Sequence, residues 1–160
     1  MENLLTKSTF LERLQSEHAR FEATLAALSP EQMMEPDVVG EWSVKDVLAH
    51  FVLHEQLALQ ELTYAQRGEE LYIEPNSADR ANALAVSESR DVPVAEAIAG
   101  WEQSYQQVLH ALEKLPESDY TPTSLLAHQL GDTVEGTFAN NTYEHYAEHG
   151  EMIRARWHLH

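Results

Sequence analysis

Four stretches of the chain repeat apolar residues at alternating steps of three and four, and this period constrains the fold more than any other feature. Such spacing places the apolar side chains on one face of an α-helix. The stretches cover about 7–28, 43–67, 93–115 and 137–157. No alternating strand pattern extends beyond a few residues. The sequence therefore predicts an all-α protein with four main helices.

Local signals mark several ends of these helices. The dipeptide Ser29–Pro30 ends the first helix, and Ser43 followed by Asp46 resembles a capping box at the start of the second. Pro93 occupies the favoured first position of the third helix, and Pro116 closes that helix. A glycine inside the third pattern, Gly100, is expected to mark the close approach of another helix.

The connection over 68–92 is long enough to cross the whole molecule. The helix before it, of about 25 residues, would be roughly 37 Å long. An extended connector of about 25 residues can span ~80 Å. Helices two and three can therefore run parallel. We expect one domain over 1–160, a four-helix bundle with a long crossover between helices 2 and 3, and a short crossover helix near 77–87.

Charge and composition disfavour several classes of partner. Ten Lys and Arg against 27 Asp and Glu give a net charge of −17. Such a surface repels phosphate backbones and anionic lipids, so we expect no nucleic-acid and no membrane partner. Residues 1–5 do not resemble a signal peptide, and the absence of cysteine excludes disulfides and thiolate metal sites. The cytoplasm is the expected compartment.

Two histidine pairs with a spacing of four residues stand out among nine histidines, where random placement predicts about 0.5 such pairs. They are His50/His54 and His145/His149, and residues four apart share one helix face at a separation of about 6 Å. If both faces point inward, His50, His145 and His149 converge on one divalent cation. Three neutral nitrogen donors with an open position suit Zn²⁺, or Ni²⁺ or Fe²⁺ with more waters. Metal affinity should then fall below about pH 6.5.

Ordinary structural roles remain open for the other polar and aromatic residues. His18 lies on the apolar stripe of the first helix, and we expect it to be a hydrogen-bonded core or rim residue. For His54 we consider three roles: a fourth metal ligand, a hydrogen-bonding neighbour of the ligands, or a residue at the rim of a pocket. We favour the last two together. Asn141 shares the face of His145 and is expected to contact a ligand or a substrate. The candidate pocket walls are Trp42, Tyr72 and Tyr143.

Three glutamates next to these histidines are expected to lie off the histidine face. Each residue turns a helix by about 100°, so Glu55, Glu144 and Glu148 should face solvent or a neighbouring helix. The acidic, amide-rich stretch over 69–82 is either a lid or a solvated loop. No Gly-x-Ser-x-Gly elbow, phosphate-binding loop or dinucleotide fingerprint is present in the sequence.

Two segments resemble helix signatures of the DinB/YfiT-like superfamily. Residues 40–50, GEWSVKDVLAH, are similar to its second-helix signature, and residues 141–149, NTYEHYAEH, to its fourth-helix signature. In detail the chain is most similar to the ClbS-like branch, which is associated with colibactin self-resistance. This resemblance implies a four-helix bundle with a long crossover. It also implies a divalent-metal site formed by His50, His145 and His149.

The resemblance implies two functional hypotheses. Superfamily members include thiol-dependent transferases and isomerases, which suggests a metal-dependent hydrolase or a thiol-dependent transferase acting on a small electrophilic molecule. The ClbS-like branch instead suggests metal-free binding and sequestration of a toxic metabolite. A homodimer that uses an exposed bundle face is compatible with either hypothesis.

Overall fold

The computed structural model describes residues 6–75 and 77–160. Residues 1–5, considered above for a signal peptide, and Asn76, within the acidic 69–82 stretch, lie outside the described residues. Over the described ranges the structure has no strand, and a 3-10 helix spans Glu117–Tyr120. The α-helices are α1 Lys7–Ala26, α2 Pro30–Met33, α3 Val44–Gln66, α4 Ala78–Ser89, α5 Val94–Lys114, α6 Leu125–Leu130, α7 Val134–Ala139 and α8 Tyr143–Arg156.

Helices α1, α3, α5 and α8 form the predicted four-helix bundle. Helix α3 packs along α5, and α1 packs along α8. Each of the four contributes one buried aromatic ring to the centre: Phe21, Phe51, Trp101 and Tyr146. The ring of Phe21 lies 4.9 Å from that of Phe51, and the ring of Trp101 lies 5.5 Å from that of Tyr146, measured between centroids. Such tilted and edge-to-face contacts suit the quadrupoles of aromatic rings.

The long crossover between the second and third bundle helices is confirmed. It joins α3 to α5 and contains α4, close to the short helix that the sequence predicts. Helix α4 packs on α3 and buries none of its own residues. No helix of the described chain is both long and apolar enough to cross a membrane.

The capping box at the start of α3 is present as predicted. The amide of Asp46 donates to Oγ of Ser43 at 3.1 Å, and the amide of Ser43 donates to Oδ2 of Asp46 at 3.0 Å. These bonds satisfy two backbone donors that the first helical turn leaves free. Pro93 is the residue before α5 rather than its first residue, so this helix begins one position later than predicted.

The fourth predicted helix is wrong as one continuous element, because the structure interrupts it between α7 and α8. Thr142 has φ −134° and ψ −102°, far from helical values. Its hydroxyl donates to the carbonyl of Phe138 at 2.7 Å, and Nδ2 of Asn141 donates to the carbonyl of Thr137 at 2.9 Å. The backbone amides of Asn141 and Thr142 donate to the carbonyls of Phe138 and Ala139, three residues back rather than four, so the α-helical hydrogen-bond pattern ends before α8.

Candidate metal centre

Three histidines from two helices converge on one place inside the bundle. Helix α3 carries His50, and α8 carries His145 and His149 on successive turns. Each ring offers one nitrogen, and these nitrogens all lie within 4.8 Å of one another. The ring centroid of His50 lies 4.9 Å from that of His145 and 5.4 Å from that of His149. A divalent cation between the rings would therefore be within reach of all three side chains.

Burial keeps these rings uncharged at neutral pH. Burial, the main cause, lowers the pKa of His50 to about 4 and that of His145 to about 3, and the neighbouring imidazoles lower both further. Burial also lowers the pKa of His149 below its usual value. A neutral imidazole keeps the lone pair that a metal requires. The three residues are thus in the protonation state of metal ligands.

Two ring nitrogens of the cluster are buried without a protein partner. Nδ1 of His145 and Nδ1 of His149 have no hydrogen-bond partner among the described residues. An unsatisfied buried polar atom costs about 1–3 kcal/mol. A bound cation, or a water or ligand at the cluster, would offset this cost. The donor set and its unsatisfied atoms therefore fit a divalent metal.

Asn82, on the crossover helix α4, orients the histidine from α3. Its Oδ1 accepts from Nδ1 of His50 at 2.9 Å and lies 3.3 Å from Nε2 of His54. With the Nδ1 proton of His50 donated to Asn82, the lone pair of His50 resides on Nε2, which is then free to ligate. Asn82 is not among the residues predicted from the sequence, because the contact depends on how α4 folds back over α3. No spacing in the sequence encodes that contact.

His54 and Asn141 lie beside the three histidines as hydrogen-bonding neighbours. The ring of His54 is centred 4.4 Å from that of His50 and 5.1 Å from that of His145. Its Nδ1 lies 3.2 Å from Oδ1 of Asn141, whose Nδ2 donates to the carbonyl of Thr137 at 2.9 Å. The structure therefore places Asn141 against His54 and links the break before α8 to the cluster.

The structure brings one of the three aromatic candidates to the histidines. The ring of Trp42 lies 4.8 Å from that of His50. Tyr143 packs against Phe10 at 5.8 Å and beneath the guanidinium of Arg13 at 4.6 Å. It stands about 200° around the helix from His145, which points it away from the cluster. The side chain of Tyr72 is 82% exposed, so the structure gives it no place in a pocket wall.

The glutamates behave differently from one another. Glu144 and Glu148 are exposed, as expected. Glu55 faces neighbouring helices, one of the two expected alternatives, but it is fully buried. Its Oε2 accepts from Nε1 of Trp101 at 3.1 Å and from the hydroxyl of Tyr146, while its Oε1 has no partner within the described chain. Burial raises the pKa of Glu55 to about 7, although these hydrogen bonds oppose the rise.

His18 is a hydrogen-bonded buried residue, as the sequence predicts. Its Nδ1 lies 3.0 Å from Glu22, and its Nε2 lies 2.9 Å from Glu102 on α5. The ring stacks on Tyr105 with centroids 3.4 Å apart. Both ring nitrogens already have carboxylate partners. The group of His18, Glu22 and Glu102 therefore links α1 to α5. The cluster of three histidines is the better metal candidate.

Comparisons with known proteins agree with this fold. Residues 14–147 match the family model of the mycothiol maleylpyruvate isomerase N-terminal domain. No curated protein matches the chain. Among solved structures, the colibactin self-resistance protein ClbS, in complex with a dsDNA, is 14% identical over 94% of both chains, with a TM-score of 0.79.

Two further solved structures give the same result. A Streptococcus pneumoniae protein is 12% identical over 99% of this chain and 94% of its own, with a TM-score of 0.80. The Sibling Lethal Factor Precursor DfsB is 13% identical over 95% of this chain and 94% of its own, also with a TM-score of 0.80. At these identities the structural likeness shows the fold alone. With the family match over 14–147, the chain belongs to the mycothiol maleylpyruvate isomerase N-terminal domain family.

Proposed function

We propose that the chain binds a divalent cation through His50, His145 and His149 and acts as a metal-dependent hydrolase or thiol-dependent transferase on a small electrophilic molecule. The observation that carries this proposal is the convergence of three ring nitrogens within 4.8 Å. Three imidazoles with an open position are typical of catalytic zinc sites, and imidazole also suits Ni²⁺ and Fe²⁺. When bound, such a cation supplies Lewis acidity that activates water or a thiol.

The surrounding residues of the chain would prepare this site in three ways. Asn82 fixes the ring orientation and the proton of His50. Burial holds the ligand rings neutral before any cation arrives. Trp42 packs beside the ring of His50 and forms part of the wall around it. The substrate would approach the position that the three nitrogens leave open.

The direct test is the metal content of untagged protein purified without added metal. We expect nearly stoichiometric bound metal in the parent protein and loss of most of it in His145→Ala. The matched control is His110→Ala, because His110 is exposed on α5 and lies outside the cluster. Trivial metal in the parent, or equal metal in His145→Ala and the parent, would contradict the proposal.

A second candidate function is metal-free binding of a toxic small molecule. The observation that favours it is His54, whose nitrogens lie 3.2 Å from Oδ1 of Asn141 and 3.3 Å from Oδ1 of Asn82, so polar side chains beside the three histidines could bind a ligand directly. The fold is shared with ClbS, a self-resistance protein. In this case His145→Ala should still protect cells exposed to the toxic compound, whatever the metal content. Loss of protection together with loss of metal would favour the first function.

Nucleic-acid binding is not part of this proposal. The complex with dsDNA belongs to ClbS, which is 14% identical to this chain. A net charge of −17 opposes the phosphate contacts that supply most non-specific DNA affinity. The expectation remains a small-molecule substrate and a cytoplasmic location. A mobility shift with duplex DNA at low salt would contradict this expectation.

A further inference from the structure

An apolar groove runs between α3, α4 and α5, and its described lining includes no histidine. Its volume is about 460 Å³, which lies within the usual size of small-molecule sites. Its walls are apolar and mostly short side chains from all three helices. They include Leu48, Val52, Leu53, Ala85 and Ala97.

Gly100 keeps one side of this groove open. Glycine is the least favourable helix residue after proline, yet Gly100 lies inside α5. The expected close approach of another helix is wrong, because a Cβ built at this position meets no described atom within 4 Å. The residue also has no positive φ that would require glycine. Because Gly100 lines the groove, its missing side chain leaves this part of the α5 wall open.

The rim of the groove is acidic. Glu88 on α4 and Glu96 on α5 are exposed lining residues, and neither forms an ion pair with the residues that the structure describes. The basic lining residue, Lys45, is buried, and its Nζ donates to the carbonyl of Arg90 at 2.8 Å. By formal charge, one lysine and two glutamates give this lining 1 − 2 = −1. The ammonium of Lys45 is buried against the backbone, whereas both carboxylates are exposed and available to a ligand.

We propose that this groove binds a small organic cation with an apolar body, such as a protonated amine that carries an aryl or alkyl chain. The apolar body would lie on the small side chains beside Gly100. The ammonium group would lie at the rim, close to Glu88 and Glu96. Helix α4 would gain packing from such a ligand, because it buries none of its own residues.

The test compares three probes of one shape by isothermal titration calorimetry: 4-phenylbutylammonium, 4-phenylbutanol and 4-phenylbutanoate. We expect the cation to bind about tenfold more tightly than the alcohol, and the anion to bind most weakly. The double variant Glu88→Gln/Glu96→Gln should remove the preference for the cation over the alcohol. It should leave the affinity for the alcohol unchanged.

Filling the groove provides the second arm of the test. Gly100→Leu should weaken all three probes by about tenfold or more. Ala99→Leu is the matched control, because Ala99 is the exposed neighbour on α5 and does not line the groove. Gly100→Ala should retain the fold, and Ala85→Leu fills the groove from the opposite wall if Gly100→Leu fails to fold.

Three outcomes would overturn the proposal. The first is equal affinity for the three probes, and the second is equal affinity in Gly100→Leu and Ala99→Leu. The third is self-association of the parent that Gly100→Leu abolishes, which would make the groove an interface between copies of the chain. None of these measurements involves metal, so failure at the histidine cluster would leave the groove proposal intact.

Discussion

A hydrogen bond of 2.9 Å joins Oδ1 of Asn82 on the crossover helix to Nδ1 of His50 on α3. Helix α4 has no fully buried residue, so this hydrogen bond is a specific contact that connects the crossover to the bundle. The contact also determines which nitrogen of His50 retains a lone pair. The crossover is therefore coupled to the candidate metal centre.

Replacing Asn82 should weaken metal binding without removing a ligand. Residues that orient metal ligands typically contribute about 10–100-fold in metal affinity, and we expect a loss of this size in Asn82→Ala. Competition with a chromophoric chelator measures it. Asn140→Ala is the control, because Asn140 is exposed. If the two variants bind metal equally well, Asn82 does not orient His50.

The pH dependence of metal binding should differ from that of free imidazole. Burial lowers the pKa of His50 to about 4, that of His145 to about 3 and that of His149 below its usual value, so we expect protons to compete with the metal at lower pH than they do for free imidazole. We expect nearly constant affinity from pH 8 to about 5.5 and a decline toward pH 4. This predicted decline lies below the pH of about 6.5 that an exposed imidazole would give.

Metal binding measured by equilibrium dialysis across this pH range checks the prediction. Circular dichroism at each pH controls for unfolding, which is expected at the acidic end. The folded-state pKa values lie below the usual 6.5, so the unfolded chain binds more protons and the metal-free protein loses stability as pH falls from 6.5 toward 4. A midpoint of metal loss near pH 6.5 in folded protein would contradict the burial argument.

Glu55 should make the protein less stable as pH rises through the neutral range. Its pKa is about 7 in the folded protein against an ordinary 4.5. Between these two values Glu55 is ionised in the unfolded chain but still protonated in the folded protein, so the free energy of unfolding decreases as pH rises from 4.5 to about 7. The loss is on the order of 3 kcal/mol. In Glu55→Gln this component is absent, whereas the contributions of the buried histidines are retained. The free energy of unfolding of Glu55→Gln, minus that of the parent, should therefore increase between pH 5 and about 7.

Urea unfolding of the parent and of Glu55→Gln at several pH values measures this difference. Glu148→Gln is the control, because Glu148 is exposed. Parallel pH profiles for the parent and Glu55→Gln would show that Glu55 is ionised in the folded protein throughout this range.

Loss of the His18 side chain should destabilise the bundle. His18 is buried between carboxylates of Glu22 and Glu102, and its ring stacks on Tyr105. His18→Ala removes these contacts and leaves a cavity, so we expect a loss of roughly 2 kcal/mol in the free energy of unfolding. His110→Ala on the exposed face of α5 should change it by much less. Similar stability in the two variants would show that the contacts of His18 contribute little.

The features that could be predicted from the sequence are those that helix geometry encodes locally. The capping box of Ser43 and Asp46 depends on residues three apart, and the structure contains it. The spacing of His145 and His149 places both on one face wherever that helix packs. The direction of Tyr143 follows from the same 100° per residue, so its position away from the cluster was predictable, in contrast to the prediction of Tyr143 as a pocket wall.

Other features depend on which helices meet, and the sequence contains no local signal for them. Glu55 is buried because Trp101 and Tyr146 arrive from α5 and α8. Asn82 reaches His50 because the crossover folds over α3. The helical period assigns each residue to a face of its helix. Which other helix packs against that face depends on contacts between residues far apart in the chain. The sequence alone therefore determined the helical class and the faces on which the histidines lie, because both follow from spacing along one helix. The tertiary structure decided where the last helix is interrupted, that the imidazoles meet, and which side chains orient and enclose them.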